Sequence, residues 1–504
     1  MPQRLSNWPL LLASFCLLAA CSSLQHPTSV TASLECSTKH IEETAKSARG
    51  DWKLSYRAGC TDKLGRRAGG SEILHLVAHR GALFAANGYW MDEDHEWYGG
   101  KARPIPWGQV LRLDAVAEGW QVDAMFDKHL RIESLSSVRF TTDHQGRALD
   151  EPIDMLIAAA FEGNGQAGIN LFQRDDARAR WTKIPLVKGP LGERGVANSV
   201  RVITLYHDKR TGVDRLFIAA GTHGIWSGSL VEPQTLKLYW DRAPEFGPIP
   251  IRALSMIEAN GALHLSVGSH IYRRIDGERP SYELVASLAS VGSDGLVPSV
   301  GGIRGMTAIP NPSGQGQSLL FLWSPGKFSR ACILRLDPDP ADWLRYQAPV
   351  VESCLDDLIE RHLRGIPVRF VLGAYNHMYA LKGPLESEPI LLFGVEAVVG
   401  DREAPTASNQ AMGEGGFYAG AIVVARKGPN NYRLTEVNCY TFPSESALVA
   451  VRTITASPFK DEADGELFIG GYDANFHRGR DTAWIFRAKP EVFLRLFASP
   501  ESAC

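Results

Sequence analysis

The sequence predicts an all-β protein of the β-propeller class, with seven blades of four antiparallel strands as the simplest count. The first observation is a recurring phrase, Val or Ile followed by Arg and an apolar strand, whose arginines are Arg139, Arg201, Arg252, Arg304, Arg369 and Arg452. The second is that two more apolar strands follow each phrase, such as LFIAAG and GIWSGSL after Arg201, separated by Gly, Pro, Asn and Asp turns. Helical periodicity is scarce, with LDDLIERHL at 355–363 as one short candidate. Repeats of this kind predict a propeller because one four-stranded meander cannot bury both of its faces alone.

An altered first copy precedes these six. Aligning NGALHLSV (260–267) with RGALFAAN (80–87) places Glu72 where the later copy has Arg252. The strands of this copy are EILHLVA, ALFAANG, QVLRLDA and GWQVDAMF. Insertions in the fifth copy (319–336) and the sixth (367–437) leave six or eight blades open, and a pair of β-sandwiches is the alternative fold.

The composition excludes several classes of protein. The chain of 504 residues has 53 Lys and Arg against 56 Asp and Glu, a formal net charge of −3. A nucleic-acid binder normally has a basic domain, so no nucleic-acid partner is expected. The balance of 22% charged and 44% hydrophobic residues also excludes a disordered chain and a polytopic membrane protein.

The N-terminus has the pattern of an export signal. One early cation, Arg4, precedes the apolar stretch PLLLASFCLLAA, which ends directly before Cys21. Its length suits a signal-peptide core and is too short for an ordinary membrane span. Small residues followed by Cys resemble the lipobox of bacterial lipoproteins, which implies cleavage before Cys21 and lipidation of its thiol. A plain secretory signal or a single anchor helix is the alternative.

The lipoprotein resemblance also implies a location and a domain plan. Ser22 follows the lipidated position, and by resemblance to Gram-negative lipoproteins this favours the periplasmic face of the outer membrane over the inner membrane. We therefore expect a signal peptide at 1–20, a polar lipidated tether at 21–50 and the propeller at 51–504.

The cysteines agree with an oxidising compartment. Six of the eight remain after Cys16 leaves with the signal and Cys21 takes lipid. Six cysteines in an exported protein allow 15 disulfide connectivities. Pairing between neighbours in sequence would give Cys36–Cys60, Cys332–Cys354 and Cys439–Cys504, with buried free thiols as the alternative.

The repeat phrase also has a family resemblance. The pattern of VR, a later Gly-x-Leu and a Gly-Ile resembles the sensor-type propeller repeats of bacterial regulators. More broadly, the chain resembles exported bacterial β-propeller lipoproteins over most of residues 70–498.

The repeat geometry predicts a site at one mouth of the central channel. In a propeller the first strand of each blade is innermost, and its start lies beside the connection between the second and third strands. The six arginines and Glu72 should therefore meet near one opening, with His223 and His270 on nearby connections. The long connections at 87–108, 396–416 and 471–482 emerge at the same mouth, and such loops often hold binding residues. Converging arginines suit a carboxylate, sulfate or phosphate. A motif repeated in six blades is, however, more simply explained by structure, with each arginine pairing with Asp or Glu to staple neighbouring blades.

Other candidates are weaker. The run Asp92-Glu93-Asp94-His95-Glu96 is rich in oxygen ligands, but its spacing does not match a calcium-binding EF-hand, so a solvated acidic loop is the simpler interpretation. Trp90, Trp97, Tyr98 and Trp107 could stack on sugar rings or fill the core. No catalytic or nucleotide-binding motif stands in its required context, so no cofactor and no metal site are predicted, with Ca²⁺ at the acidic run as the alternative.

Two function classes follow. The favoured one is a non-catalytic binding or scaffold module, attached to the membrane by lipid, that holds an anionic small molecule, a glycan or a protein partner. The alternative is a hydrolase or lyase acting on an acidic sugar. The chain lacks the Ser-x-Asp-x-Gly-x-Thr-Trp box of sialidases and the channel of Glu, Asn and Asp of lactonase propellers.

Overall fold

A computed structural model describes most of the chain. The described residues are 35–36, 51–89, 95, 105–161, 168–188, 198–288, 301–326, 329–383, 388–400, 417–437, 448–460, 463–473 and 481–498. Short apolar runs bounded by turn residues form strands throughout, and many of these runs are continuous because both faces of the strand are buried.

The first strands in the chain are β1 (Trp52–Arg57), β2 (Cys60–Thr61) and β3 (Arg67–Ala68). Antiparallel meanders of four strands follow, and we number them as blades in chain order. Blade 1 contains β4 (Glu72–His79), β5 (Ala82–Gly88), β6 (Gln109–Leu113) and β7 (Gln121–Met125). Blade 2 contains β8 (Arg131–Thr142), β9 (Ala148–Phe161), β10 (Ile169–Asp175) and β11 (Arg180–Val187). Blade 3 contains β12 (Val200–His207), β13 (Asp214–Ala220), β14 (Ile225–Glu232) and β15 (Lys237–Trp240).

The second half of the chain repeats the pattern. Blade 4 contains β16 (Ala253–Ala259), β17 (Ala262–Val267), β18 (His270–Ile275) and β19 (Ser281–Ser287). Blade 5 contains β20 (Gly302–Pro310), β21 (Gln317–Ser324), β22 (Cys332–Leu336) and β25 (Val350–Cys354), with the hairpin β23 (Pro338–Asp339) and β24 (Asp342–Tyr346) inserted. Blade 6 contains β26 (Val368–Gly373), β28 (Ile390–Val399), β29 (Ile422–Gly428) and β30 (Asn431–Glu436), with β27 (Tyr379–Leu381) added beside β28. Blade 7 contains β31 (Ala450–Ala456), β32 (Leu467–Tyr472) and β33 (Trp484–Ala488).

Helices are short. The α-helices of the described residues are α1 (Leu355–His362), between blades 5 and 6, and α2 (Glu491–Leu494), after blade 7. Single 3-10 turns lie at Val116–Glu118, Gly221–His223, Pro233–Thr235 and Arg495–Phe497. None of the helices in the described part of the chain is long and apolar enough to cross a membrane.

The N-terminal strand closes the ring. Strand β1 pairs antiparallel with β33, with Leu54 opposite Phe486, and so supplies the fourth strand of blade 7. The chain therefore returns to its own beginning, and blade 7 combines both ends of the described propeller. This pairing covers the edge of β33, so blade 7 presents the same short outer edge as the other four-stranded blades.

Apolar cores lie between successive blades. One core joins Phe84 of blade 1 to Leu156 of blade 2, and another joins Phe321 of blade 5 to Ile271 of blade 4. Similar clusters fill the remaining spaces between blades, including the space between blades 7 and 1. Each sheet is thereby buried on both faces, as predicted for stacked blades.

The predicted fold class is confirmed as all-β and of the propeller type. The disulfides Cys36–Cys60 and Cys332–Cys354 are confirmed, whereas Cys439 and Cys504 lie outside the described residues, as does Cys21. The helix expected at 355–363 is present as α1.

Candidate functional site

A β-bulge marks the first half of every inner strand, meaning the first strand of each blade. Each inner strand shifts register against its neighbour near its start, as β4 does between Ile73 and His75. In the other inner strands the shift lies at Ile132/Ser134, Val200/Ile203, Ala253/Met256, Arg304/Thr307, Val368/Phe370 and Val451/Thr453. A bulge bends its strand and re-aims the side chains there. Charged side chains cluster at these bulges, so the same irregularity recurs where the site is built.

The first part of the site is an ion-pair chain across blades 1 to 3. Arg131 Nη1 lies 2.8 Å from Glu72 Oε1, and Arg131 Nε donates to Glu133. Arg201 Nη1 lies 2.6 Å from Glu133 Oε2. Glu72 and Glu133 are each only 1% exposed. Although burial raises it, the charges of Arg131 and Arg201 lower the pKa of Glu133 to about 2.

The second part is a pair of buried cations on blades 4 and 5. Arg252 is 5% exposed and Arg304 2% exposed. Arg252 Nη1 donates to Ser199 Oγ at 2.9 Å. Burial and the charges of Arg201 and Arg304 lower the pKa of Arg252 well below its usual value. Burial, together with the charge of Arg201, lowers the pKa of Arg304 to about 9. The two guanidinium groups therefore share one electrostatic environment and repel each other.

The third part lies on blades 6 and 7. The Arg452 guanidinium stands 3.9 Å from the centre of the Tyr375 ring and 5.5 Å from that of Tyr472. Arg452 Nη2 also lies 3.6 Å from Glu72 Oε2, which joins this part to blade 1. The Tyr472 hydroxyl donates to Glu396, and burial raises the pKa of Glu396. A tyrosine hydroxyl and a carboxyl group thus adjoin the arginines.

A segment of blade 6 crosses the inner side of the ring. After β26, residues 374–378 leave the sheet and contact three other blades. Asn376 Nδ2 reaches the carbonyl oxygens of Leu74 at 3.4 Å and Arg452 at 3.5 Å, and the Met378 amide donates to Thr307 Oγ1 at 2.9 Å. Tyr375, in this segment, is the residue beneath Arg452. A small pocket opens between this segment and blade 7, lined in part by Tyr375 and Arg452.

The described charges of this site are unbalanced. Its guanidinium groups belong to Arg131, Arg201, Arg252, Arg304 and Arg452, and its carboxyl groups to Glu72, Glu133 and Glu396. Among the described residues this gives five cations against three carboxyl groups, and burial disfavours ionisation of Glu396. We call these eight residues the channel cluster. Arginines gathered at one end of the inner strands create a positive potential that favours an anionic ligand.

The structure brings together five of the predicted site residues: Arg201, Arg252, Arg304, Arg452 and Glu72. Their convergence follows from their shared place at the start of the inner strands. Arg201, Arg252 and Arg304 lie close enough for the charge of Arg201 to lower the pKa of both other arginines.

The other predicted site residues lie elsewhere. The side chain of Arg139 is 65% exposed, far along β8, and pairs with Asp154 through Nε at 2.7 Å. Arg369 is half-buried and its Nε donates to the carbonyl oxygen of Gly400 at 2.7 Å. His223 ends a 3-10 turn, and its carbonyl accepts from Trp226 Nε1. His270 begins β18, and its Nδ1 lies 3.3 Å from Ser269 Oγ.

The sequence analysis did not identify five residues that belong to the channel cluster or adjoin it: Arg131, Glu133, Tyr375, Glu396 and Tyr472. In blade 2 the phrase at Ser137-Val138-Arg139 imitates the repeat, but β8 starts at Arg131, which pairs with Phe161 at the end of β9. The first residue of an inner strand lies opposite the end of the second strand, so aligning the blades on the end of the second strand would have identified Arg131. The segment that contains Tyr375 is an insertion without a counterpart in other blades, so no repeat signal marks it.

The acidic run at 92–96 cannot be placed, because only His95 of it is described; the ring of His95 packs against that of Trp107 at 4.6 Å. Among the residues that the structure describes, no group of three or more His, Cys, Asp or Glu side chains could hold a metal ion.

Comparison with known proteins yields no family. No protein-family model and no curated protein sequence matches the chain. Among solved structures, an α-L-arabinanase from Penicillium chrysogenum is similar, with 10% identity, a TM-score of 0.37 and coverage of 82% of this chain and 93% of its own. An α-L-arabinofuranosidase from Fusarium graminearum is 8% identical, with a TM-score of 0.39 and coverage of 84% of this chain and 94% of its own. A gluconolactonase from Xanthomonas campestris is 10% identical, with a TM-score of 0.35 and coverage of 89% of this chain and 94% of its own. The strand pairing described above, rather than these weak likenesses, defines the fold.

Proposed function

We propose that the channel cluster binds an anionic ligand, a small molecule or glycan that bears a carboxylate, phosphate or sulfate group. The observation that supports this most is the burial of Arg252 and Arg304 on adjacent blades, where their charges repel each other. A bound anion would offset that repulsion and accept hydrogen bonds from both guanidinium groups. The protein then acts as a binding module whose pocket is the propeller channel.

The test is a melting screen on the folded chain with phosphate, sulfate, glucuronate and a sialic acid, at matched ionic strength. The double variant Arg252→Gln/Arg304→Gln should lose the ligand-dependent rise in melting temperature. Without ligand, it should be at least as stable as the wild type, because it no longer buries two repelling cations. Arg178→Gln changes an exposed arginine paired with Asp175 and should keep the rise.

Two results would contradict the proposal. One is a wild type whose melting temperature no anion raises beyond the chloride control. The other is an unliganded double variant that is several degrees less stable than the wild type, which is the result expected if these arginines only staple neighbouring blades.

The second candidate is a hydrolase acting on an acidic sugar, and the Tyr472–Glu396 pair favours it. A tyrosine hydroxyl bonded to a carboxylate can become a nucleophile when the carboxylate accepts its proton. Arg304 and Arg452 would hold the carboxylate of the sugar beside it.

Aryl glycosides of acidic sugars test this candidate. If it holds, Tyr472→Phe lowers the release of the aryl group by at least about 100-fold while the melting shift with the free sugar is retained. Binding without any turnover by the wild type would exclude the hydrolase and leave the binding module.

We also propose that the chain is an exported lipoprotein, anchored through Cys21 at the periplasmic face of the outer membrane. The support is the apolar core that ends in Leu-Ala-Ala-Cys. Expression in a Gram-negative host with labelled palmitate should label the wild type and leave Cys21→Ser unlabelled. An unlabelled wild-type chain would contradict lipidation.

A further inference from the structure

A serine, a histidine and an aspartate meet at the opposite end of blade 1 from the channel cluster. His79 is the last residue of β4, whereas Glu72 of the cluster is the first. At about 3.3 Å per residue, the two ends of this strand stand roughly 20 Å apart. The contacts of His79 therefore form a separate location, between blades 1 and 2.

The three side chains form a hydrogen-bonded row. His79 Nδ1 lies 2.7 Å from Ser137 Oγ, and His79 Nε2 lies 3.0 Å from Asp176 Oδ2. The imidazole is only 1% exposed, and its ring packs edge-on against Phe84. Ser137 is exposed on β8. A buried base thus touches a serine that solvent and ligands can reach.

The charge of Asp176 fixes the direction of these hydrogen bonds. Asp176 also contacts Arg174 Nη1 at 2.5 Å and Arg80 Nε at 3.3 Å. Although burial raises it, the bonds from His79 and Arg174 lower the pKa of Asp176, so the carboxylate is ionised and can only accept. His79 Nε2 must then carry the proton. In neutral His79 the Nδ1 atom is the acceptor, and the Ser137 hydroxyl donates to it.

We propose that Ser137, His79 and Asp176 form a second site with acyl-transfer activity towards esters. Ser137 is the nucleophile, His79 the general base and Asp176 the group that orients the imidazole. In serine proteases the imidazole Nε2 contacts the serine and Nδ1 the aspartate. Here Nδ1 contacts Ser137 and Nε2 contacts Asp176, so each nitrogen still bonds to one partner.

The reaction balances without a cofactor. Ser137 Oγ forms a bond to the ester carbonyl carbon while its proton passes to His79 Nδ1. The carbon–oxygen bond to the alcohol then breaks, and the alcohol leaves with that proton. Water attacks the acyl-serine, His79 takes the proton of the water and returns it to Ser137 Oγ, and the carboxylic acid is released.

Two exposed cations indicate the class of ester. Arg139 lies two residues beyond Ser137 on β8 and so faces the same side of the strand. Arg139 Nε lies 2.7 Å from Asp154 Oδ1. Arg80 Nη2 lies 3.4 Å from the backbone carbonyl oxygen of the same residue. Guanidinium groups on this surface favour an ester with an anionic acyl or alcohol part.

A fluorophosphonate probe with peptide mass spectrometry tests the proposal on the folded full-length chain. The probe should phosphonylate Ser137, and heat denaturation should abolish the labelling. Ser137→Ala should remain unlabelled at this peptide, whereas Ser281→Ala, which changes an exposed serine on β19, should be labelled like the wild type. His79→Gln should slow the labelling by about 100-fold.

A second variant covers failure of His79→Gln to fold. The thiol of Ser137→Cys should react with iodoacetamide at least about tenfold faster than that of Ser281→Cys, because His79 accepts its proton. A folded wild type with no label on Ser137 would overturn the proposal, and so would equal reactivity of the two thiols.

Discussion

The arginines of the channel cluster differ in what surrounds each guanidinium group. Arg131 and Arg201 share the carboxylate of Glu133, and Arg452 stands near Glu72 and over the Tyr375 ring. Burial and the charges of neighbouring arginines lower the pKa values of Arg252 and Arg304. Cations held close together create a positive potential that attracts an anion. At the scale of residues, the half of the channel formed by blades 4 and 5 is therefore the half best suited to an anion.

Replacing Glu133 tests the opposite half of the cluster. Because the folded pKa of Glu133, about 2, is lower than its usual value of 4.5, the unfolded chain takes up the proton first as the pH falls. The stabilisation is complete above pH 4.5 and is lost as the pH falls towards 2. Glu133→Gln should lower the free energy of unfolding by about 3 kcal/mol at pH 7. Between pH 5 and pH 3 the variant should lose less stability than the wild type, because it has no carboxylate at this position to protonate.

Urea unfolding at pH 7, 5, 4 and 3 measures this effect. Glu118→Gln is the control, since its exposed pair with Lys63 should change stability by less than about 1 kcal/mol. Parallel pH curves for the wild type and Glu133→Gln would contradict the role given to this carboxylate.

At the scale of elements, a second set of arginines, on the third strand of the blades, also ties neighbouring blades together. Arginine occupies this strand in six blades, at Arg112, Arg174, Arg274, Arg335, Arg426 and Arg487. Arg174 reaches Asp123 of blade 1, and Arg426 reaches Glu352 of blade 5. These bonds tie a blade to the preceding one, as Arg131 and Arg201 of the inner strands also do through Glu72 and Glu133.

Arg274 provides the sharpest test of a staple. Its guanidinium is fully buried and bonds to Glu245 at 2.6 Å and to Asp208 at 2.7 Å. Arg274→Met leaves these carboxylates without their cation and should lower the free energy of unfolding by about 3–5 kcal/mol. Arg345→Met, which removes an exposed arginine 3.5 Å from Asp342, should change it by less than about 1 kcal/mol. Thermal melting of the two variants decides, and equal melting temperatures would refute the staple.

The sequence predicted the strands well because each is a local pattern. Short continuous apolar runs bounded by turn residues mark β13 and β21 without any knowledge of their partners. The register of β8 was not predictable in the same way, since Val138-Arg139 satisfies the repeat phrase eight residues after the true start at Arg131. The convergence of Arg201, Arg252 and Arg304 was predictable because equivalent residues of successive blades lie at the same depth around the axis of the ring. The contacts of Tyr375 and Glu396 depend on an insertion and on pairing across blades, which one sequence does not encode locally.

At the scale of the whole molecule, the ring closes through a pairing between β1 and β33, the first and last strands of the described propeller. Strand β1 has the same alternating pattern as any outer strand, so the sequence does not reveal that its partner is β33. Its inward side chains join the core of blades 6 and 7, where Trp52 meets the ring of Phe493 at 5.8 Å. Because each blade packs on two neighbours, opening one junction removes support from both.

Two neighbouring residues of β1 test whether closure stabilises the entire ring. Leu54 is 6% exposed and packs in the core, whereas the adjacent Lys53 points to the other side and its side chain is 46% exposed. Leu54→Gln buries an amide in place of an apolar side chain and should lower the free energy of unfolding by about 2–4 kcal/mol. Lys53→Gln should cost less than about 1 kcal/mol. If the ring unfolds as one unit, calorimetry of Leu54→Gln shows a single transition at lower temperature, since the loss at the closure is shared by all blades. A separate early transition, with the main transition unmoved, would show instead that blade 7 opens alone and that closure does not hold the other blades together.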